Sequence, residues 1–207
     1  MTTLELTEDQ RDCLQELSNI AMGQAGDSLA RFLEVFVHLS VPKIQIVQTS
    51  QVSSSLKNIS EPGLPVIVVG QSFYNAQGQK SLHGEAIVIY SESGADTLSN
   101  FLGDDESKPE TDESLMDISN ILISVCLNGL AEQLDTRLSF SAPTMIGKGI
   151  SCNDVFNSGK LSWDNALLIE INYTFESTEM SCNLVLIMPD ESVEGIIAKV
   201  NEILDEF

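Results

Sequence analysis

The sequence predicts an α+β fold made of two copies of one unit, sharing a mainly antiparallel sheet with the long helices against it. Three observations predict this. Asp12, Glu16 and Asn19 fall at spacings of four and three, which a helix stacks on one face. The same set returns as Glu113, Asp117 and Asn120, and a constant offset of 101 residues separates Glu16 from Asp117, Asn19 from Asn120 and Pro42 from Pro143. Each half also reads in the order helix, three strands, short helix, so the repeat extends beyond the polar residues. The expected organisation is a single domain over 1–207, with repeat unit one at 1–103, a linker at 104–112 and repeat unit two at 113–207, related by a pseudo-two-fold. A three-stranded piece is marginal by itself, so the two units should share one core.

Thr7 followed by Gln10 reads as a capping box that opens a helix near Glu8. Leu14, Leu17, Ile20, Ala21, Ala25 and Phe32 recur at helical spacing as its apolar side, and Asp12, Glu16, Asn19 and Gly23 fall on the opposite side. Val41 and Pro42 break the helical pattern, and Lys43 to Gln51 alternates as a strand. Ser53 to Pro65 reads as a loop, Val66 to Tyr74 as an apolar strand, Asn75 to Gln79 as a hairpin turn and Leu82 to Tyr90 as the return strand. SESGADTLSNFLG then predicts a short helix, with Ser91 or Ser93 as its cap and Gly103 near its end.

The charge run DDESKPETD, Asp104 to Asp112, is the seam between the units. Beyond it Leu115, Ile118, Ile121, Leu122, Val125, Cys126 and Leu130 repeat the buried stripe, with Glu113, Asp117, Asn120 and Ser124 on the far side. Strands follow at Thr144 to Ile150, Leu167 to Phe175 and Ser181 to Met188, with a loop from Cys152 to Trp163. An amphipathic helix from Pro189 to Leu204 closes the second unit.

Composition narrows the function. With 43% hydrophobic and 20% charged residues the chain has an ordinary globular mix, but 10 Lys plus Arg face 31 Asp plus Glu, a formal net charge of −21. Such a field repels nucleic acid and anionic lipid, so we expect no nucleic acid and no membrane insertion. The N-terminus has no basic region followed by an apolar run, and Cys13, Cys126, Cys152 and Cys182 form no CxxC pair. Reduced thiols and a cytoplasmic location are the expectation.

His38 and His83, the two histidines, belong to no metal-ligand spacing, and no phosphate-binding loop, nucleophile elbow or dinucleotide fingerprint occurs. We expect no metal and no cofactor of its own. Gly23 and Gly26 lie within a helical pattern, where they serve either close helix packing or clearance for an approaching partner. Glu16 with Asn19 would mean little once. Repeated at corresponding places, on faces that folding constrains least, the pair points to function.

The pattern Asp12-x3-Glu16-x2-Asn19-x22-Pro42, with Ile20, Gly23 and Ala25 around it, resembles the signature of the CheC family of chemotaxis phosphatases, which includes CheX and the flagellar switch protein FliY. The second copy, Glu113-x3-Asp117-x2-Asn120-x22-Pro143, matches with Asp117 standing where Glu is usual. Two sites with no added C-terminal flagellar domain look most like CheC itself. The resemblance implies a phosphatase that acts on a phosphorylated CheY-like response regulator, whose receiver domain brings its own Mg²⁺ and lysine. Asn19 and Asn120 would then orient the attacking water, and Glu16 and Asp117 would pair with the receiver's lysine. It also implies CheD as a second partner. Asp117 is shorter than Glu by one methylene, roughly 1.3 Å of reach, so the first site should outrank the second. Pro42 and Pro143 look structural, and Asp12 and Glu113 either assist docking or are simply exposed. The rival reading is a non-catalytic binding module of the same fold, a CheD-binding adaptor or flagellar-switch-like scaffold. A small-molecule enzyme would need a concave site that the sequence does not assemble.

Overall fold

The computed structural model describes residues 5–48, 51–55, 64–75, 82–92, 94, 111–151, 154–155, 165–176 and 181–206. Its elements are α1 (Glu8–Leu33), β1 (Val37–Leu39), β2 (Lys43–Gln48), a single turn α2 (Val52–Ser55), β3 (Pro65–Tyr74), β4 (His83–Ser91), α3 (Thr111–Gln133), β5 (Ser139–Phe140), β6 (Thr144–Ser151), β7 (Asn165–Phe175), β8 (Ser181–Pro189) and α4 (Asp190–Leu204). The strands form one antiparallel sheet in the order β1-β7-β8-β4-β3-β5, with β2 also on β7 and β6 also on β3.

The centre of the sheet is the ladder between β4 and β8, with Ile87 opposite Val185 and Val88 opposite Leu184. Outward from it, β3 pairs with β4 and β7 with β8. The outermost strands cross over. β1 and β2, from the first half of the chain, pair with β7 of the second, while β5 and β6 pair with β3 of the first. Neither half keeps its own outer strands.

Apolar residues on alternate sides of the strands make two clusters, one per face. On one face Ile67, Val69, Phe73, Val88, Ile169, Ile171, Leu184 and Leu186 meet Leu14, Ala21, Ala25 and Leu29 of α1 and Leu115, Ile118, Leu122 and Leu127 of α3. On the other, Val66, Val68, Ile87, Ile89, Leu168, Val185 and Ile187 are buried together. Burial on both faces explains why β3 reads as a continuous apolar run. Full burial of each such side chain contributes about 1.5–3 kcal/mol. Two tyrosines pin the helices to the sheet. Tyr90 shares a buried 2.8 Å hydrogen bond with Ser119 of α3, and Tyr173 donates to Met22 Sδ of α1 at 3.4 Å and meets Cys126 Sγ of α3 at 3.4 Å. Desolvation, reinforced by nearby Cys182, holds the Tyr90 hydroxyl well above the usual phenol range, and the Ser119 bond opposes this only in part.

Several sequence expectations need correction. Each half contributes four strands, not three: β1 and the two-residue β5 are too short to carry a periodicity. The first helix stops at Leu33, where Glu34 takes a left-handed cap with φ of 56°, well before Pro42. Val52–Ser55 is a helical turn rather than loop, and Asp112 lies in α3 rather than in the linker. Ile20 and Phe32, assigned to the apolar stripe, are 40% and 53% exposed. Ile20 is only about 100° around the helix from Asn19, and Phe32 lies in the last turn. The hairpin turn after Asn75, the short helix after Ser91, most of the charged seam and most of the Cys152 to Trp163 loop lie outside the described residues. α3 is long and apolar enough by composition to cross a membrane, but 61% of its most apolar window is buried inside the fold.

Gly84 marks a close backbone approach, since a Cβ there would lie 2.5 Å from the Ile187 carbonyl oxygen. Gly84→Ala should therefore lower stability by about 1–3 kcal/mol, read as a lower urea midpoint with an unchanged slope.

Candidate functional site

α1 begins where the sequence places it. The Thr7 side chain accepts from the Gln10 amide at 3.2 Å, and the Gln10 side chain accepts from the Thr7 amide at 2.9 Å. With Leu14, Leu17, Ala21, Ala25 and Leu29 turned to the core, the helical period leaves Asp12, Glu16 and Asn19 exposed on the opposite side. Gly23 lies on the same outward side, and a Cβ there would meet nothing within 4 Å. Gly26 is different: a Cβ would come 3.0 Å from Leu39 of β1. Of the two roles open to these glycines, close packing fits Gly26, and open clearance fits Gly23.

α3 presents Glu113, Asp117 and Asn120 in the same way, all exposed, with Ser124 half-buried. It packs directly on α1, where a Cβ on Gly129 would lie 3.0 Å from Ala21 Cα. Each carboxylate–carboxamide pair therefore stands on a helix fixed from below by core and sheet. The structure keeps Glu16 with Asn19 on one helix and Asp117 with Asn120 on the other. Pro42 is buried and Pro143 half-buried, each one residue before its strand, as structural residues would be.

The two asparagines are not held alike. Gln71 of β3, only 3% exposed, donates through Nε2 to Asn120 Oδ1 at 3.2 Å and to the Ser141 carbonyl at 2.7 Å. Among the described residues the Asn19 side chain makes no such bond. Gln71 escaped the sequence reading. Its signal was there, as the polar member of the inward-facing series Ile67, Val69, Gln71 and Phe73 in an otherwise apolar strand.

Around these pairs the surface is acidic, with Asp12 beside the first and Asp112 and Glu113 beside the second. Lys148 of β6 bonds Asp112 at 2.7 Å. Among the described residues no cluster of three His, Cys, Asp or Glu could hold a metal ion. His38 is exposed on β1, and the His83 ring lies 3.3 Å from Ser192 Oγ of α4. What the faces offer is a carboxylate for a cation and a carboxamide that both accepts and donates, exposed on the outer side of a helix. That combination suits contact with a partner that supplies the concave pocket.

No protein-family model matches the sequence, and no curated protein matches it either. Solved structures do match in fold. FliY from Thermotoga maritima superposes with a TM-score of 0.70 at 16% identity, covering 96% of this chain and 99% of that one. The FliM middle domain from Vibrio alginolyticus gives 0.61 at 12% identity, covering 90% and 99%. A CheC-like superfamily protein from a Shewanella species gives 0.53 at 12% identity, covering 88% and 99%. The chain therefore has the fold of the CheC/CheX/FliY superfamily of chemotaxis and flagellar-switch proteins.

Proposed function

We propose that this chain is a cytoplasmic protein phosphatase that hydrolyses the aspartyl phosphate of a CheY-like receiver domain. The observation that carries the proposal is the recurrence of an exposed carboxylate–carboxamide pair, Glu16 with Asn19 and Asp117 with Asn120, on two helices whose other faces are core. The strand pairings support reading the chain as two copies about a pseudo-two-fold, since each pairing in one half has a counterpart in the other. In the reaction, water attacks phosphorus, the bond to the aspartyl oxygen breaks, and the aspartate leaves as carboxylate while the water's proton passes to phosphate or solvent. The receiver supplies the phosphorylated aspartate, its Mg²⁺ and its lysine. The chain supplies position. Asn19 and Asn120 enter the receiver pocket and hold the attacking water in line, accepting from it through Oδ1 and donating through Nδ2. Glu16 and Asp117 pair with the receiver's lysine and set the docking register.

A binding module is the second reading, an adaptor for a CheD-like partner or a scaffold of the flagellar-switch type. The higher structural similarity to the FliM middle domain than to the CheC-like protein favours it. Decay of a phosphorylated receiver separates the two, because an adaptor leaves that rate unchanged even at saturation.

Removing a positioned carboxamide should cost its site on the order of 10–100-fold. Asn19→Ala is expected to lose more activity than Asn120→Ala, because Asp117 is the shorter acid, and the double variant should return decay to the receiver's own rate. Equal losses from the two single variants would reverse the ranking of the sites. Gly23→Ala tests the clearance on α1. It should raise thermal stability by up to about 1 kcal/mol, yet slow receiver dephosphorylation at the first site. Unchanged kinetics would show that no partner approaches there.

A further inference from the structure

We infer that Gln71 is a positioning residue for the second site, fixing which end of the Asn120 carboxamide faces outward. This rests on the phosphatase reading above and goes beyond it by making the two sites differ in kind. The polarity of the contact follows from chemistry. The Ser141 carbonyl can only accept, so the Gln71 atom 2.7 Å from it must be the NH₂ group. That group has a second hydrogen, directed to Asn120 at 3.2 Å, so the Asn120 atom receiving it must be Oδ1. Nδ2 of Asn120 is then the end left to solvent, with one lone pair of Oδ1 still available to water. A backbone carbonyl thus sets the orientation of an exposed side chain through one buried amide.

Two further observations support the assignment. Gln71 Oε1 is buried with no hydrogen-bond partner among the described residues, so the site keeps a costly acceptor for the sake of the NH₂ beside it. The first site lacks the device. Leu39 pairs with Tyr173 as Phe140 pairs with Phe73, and the Ser40–Asn172 bonds match those of Ser141 and Ser72. Two residues before Tyr173, in the place that Gln71 takes before Phe73, stands Ile171, fully buried and with nothing to donate. Asn19 must therefore be ordered by the receiver as it docks, whereas Asn120 is ordered beforehand. Pre-ordering offsets part of the reach that Asp117 lacks.

The test isolates the second site with Asn19→Ala and adds Gln71→Leu, or Gln71→Met as the closer match in shape. Turnover of a phosphorylated receiver should show kcat/KM lower by about three- to tenfold, because Asn120 must then be ordered as the receiver docks. Added to Asn120→Ala instead, the same substitution should leave turnover as it was. The Asn120 side-chain amide signals in a nitrogen–proton spectrum should lose their ordered signature when Gln71 is replaced. If Gln71→Leu and Gln71→Met leave kcat/KM of the Asn19→Ala chain unchanged, the role of Gln71 falls and the phosphatase reading stands. The role also falls if the Asn19→Ala chain is inactive while the unsubstituted chain is active. An unsubstituted chain that fails to accelerate decay overturns the phosphatase reading itself.

Discussion

The ladder between β4 and β8 is the constraint on which the rest of the molecule depends. It is the seam where the two halves of the chain meet, and every other strand is placed by reference to it. Because β1 and β2 leave the first half to pair with β7, and β5 and β6 leave the second to pair with β3, each half supplies the outer backbone partners of the other. Without these strands β7 and β3 would be the edges of the sheet. The exchange explains why both long helices lie on one face: the continuous sheet gives α1 and α3 a common floor, and Tyr90 and Tyr173 fasten them to it.

This floor gives the exposed residues their meaning. A polar residue on an unsupported helix would move with it, whereas Glu16 and Asn19 stand above Leu14, Leu17 and Ala21, all buried. Rigid support holds exposed side chains in a defined geometry. The same support brings β3 beneath α3, which is how a buried glutamine comes to touch an exposed asparagine.

Much of this was legible in the sequence, for identifiable reasons. The capping box of Thr7 and Gln10, the long strands and the outward placement of Glu16, Asn19, Asp117 and Asn120 all follow from local chemistry or from period. β1 and β5 were not legible, because two or three residues hold no periodicity and pair only through tertiary context. The exchange of outer strands was hidden too, since no local signal says which hairpin a strand will join. Gln71 was visible as an oddity, but its meaning needed the partner, 49 residues away in sequence, with which it bonds.

The exchanged strands also set a timetable. Val37 pairs with Phe175 and Lys43 with Glu170, so β1 and β2 stay unpartnered until most of the chain has been synthesised. Through that interval only the β3–β4 hairpin is available to cover the leucine stripe of α1. Contacts this distant slow folding and leave apolar surface open to other chains. The arrangement that makes the finished molecule interdependent thus makes the nascent one vulnerable.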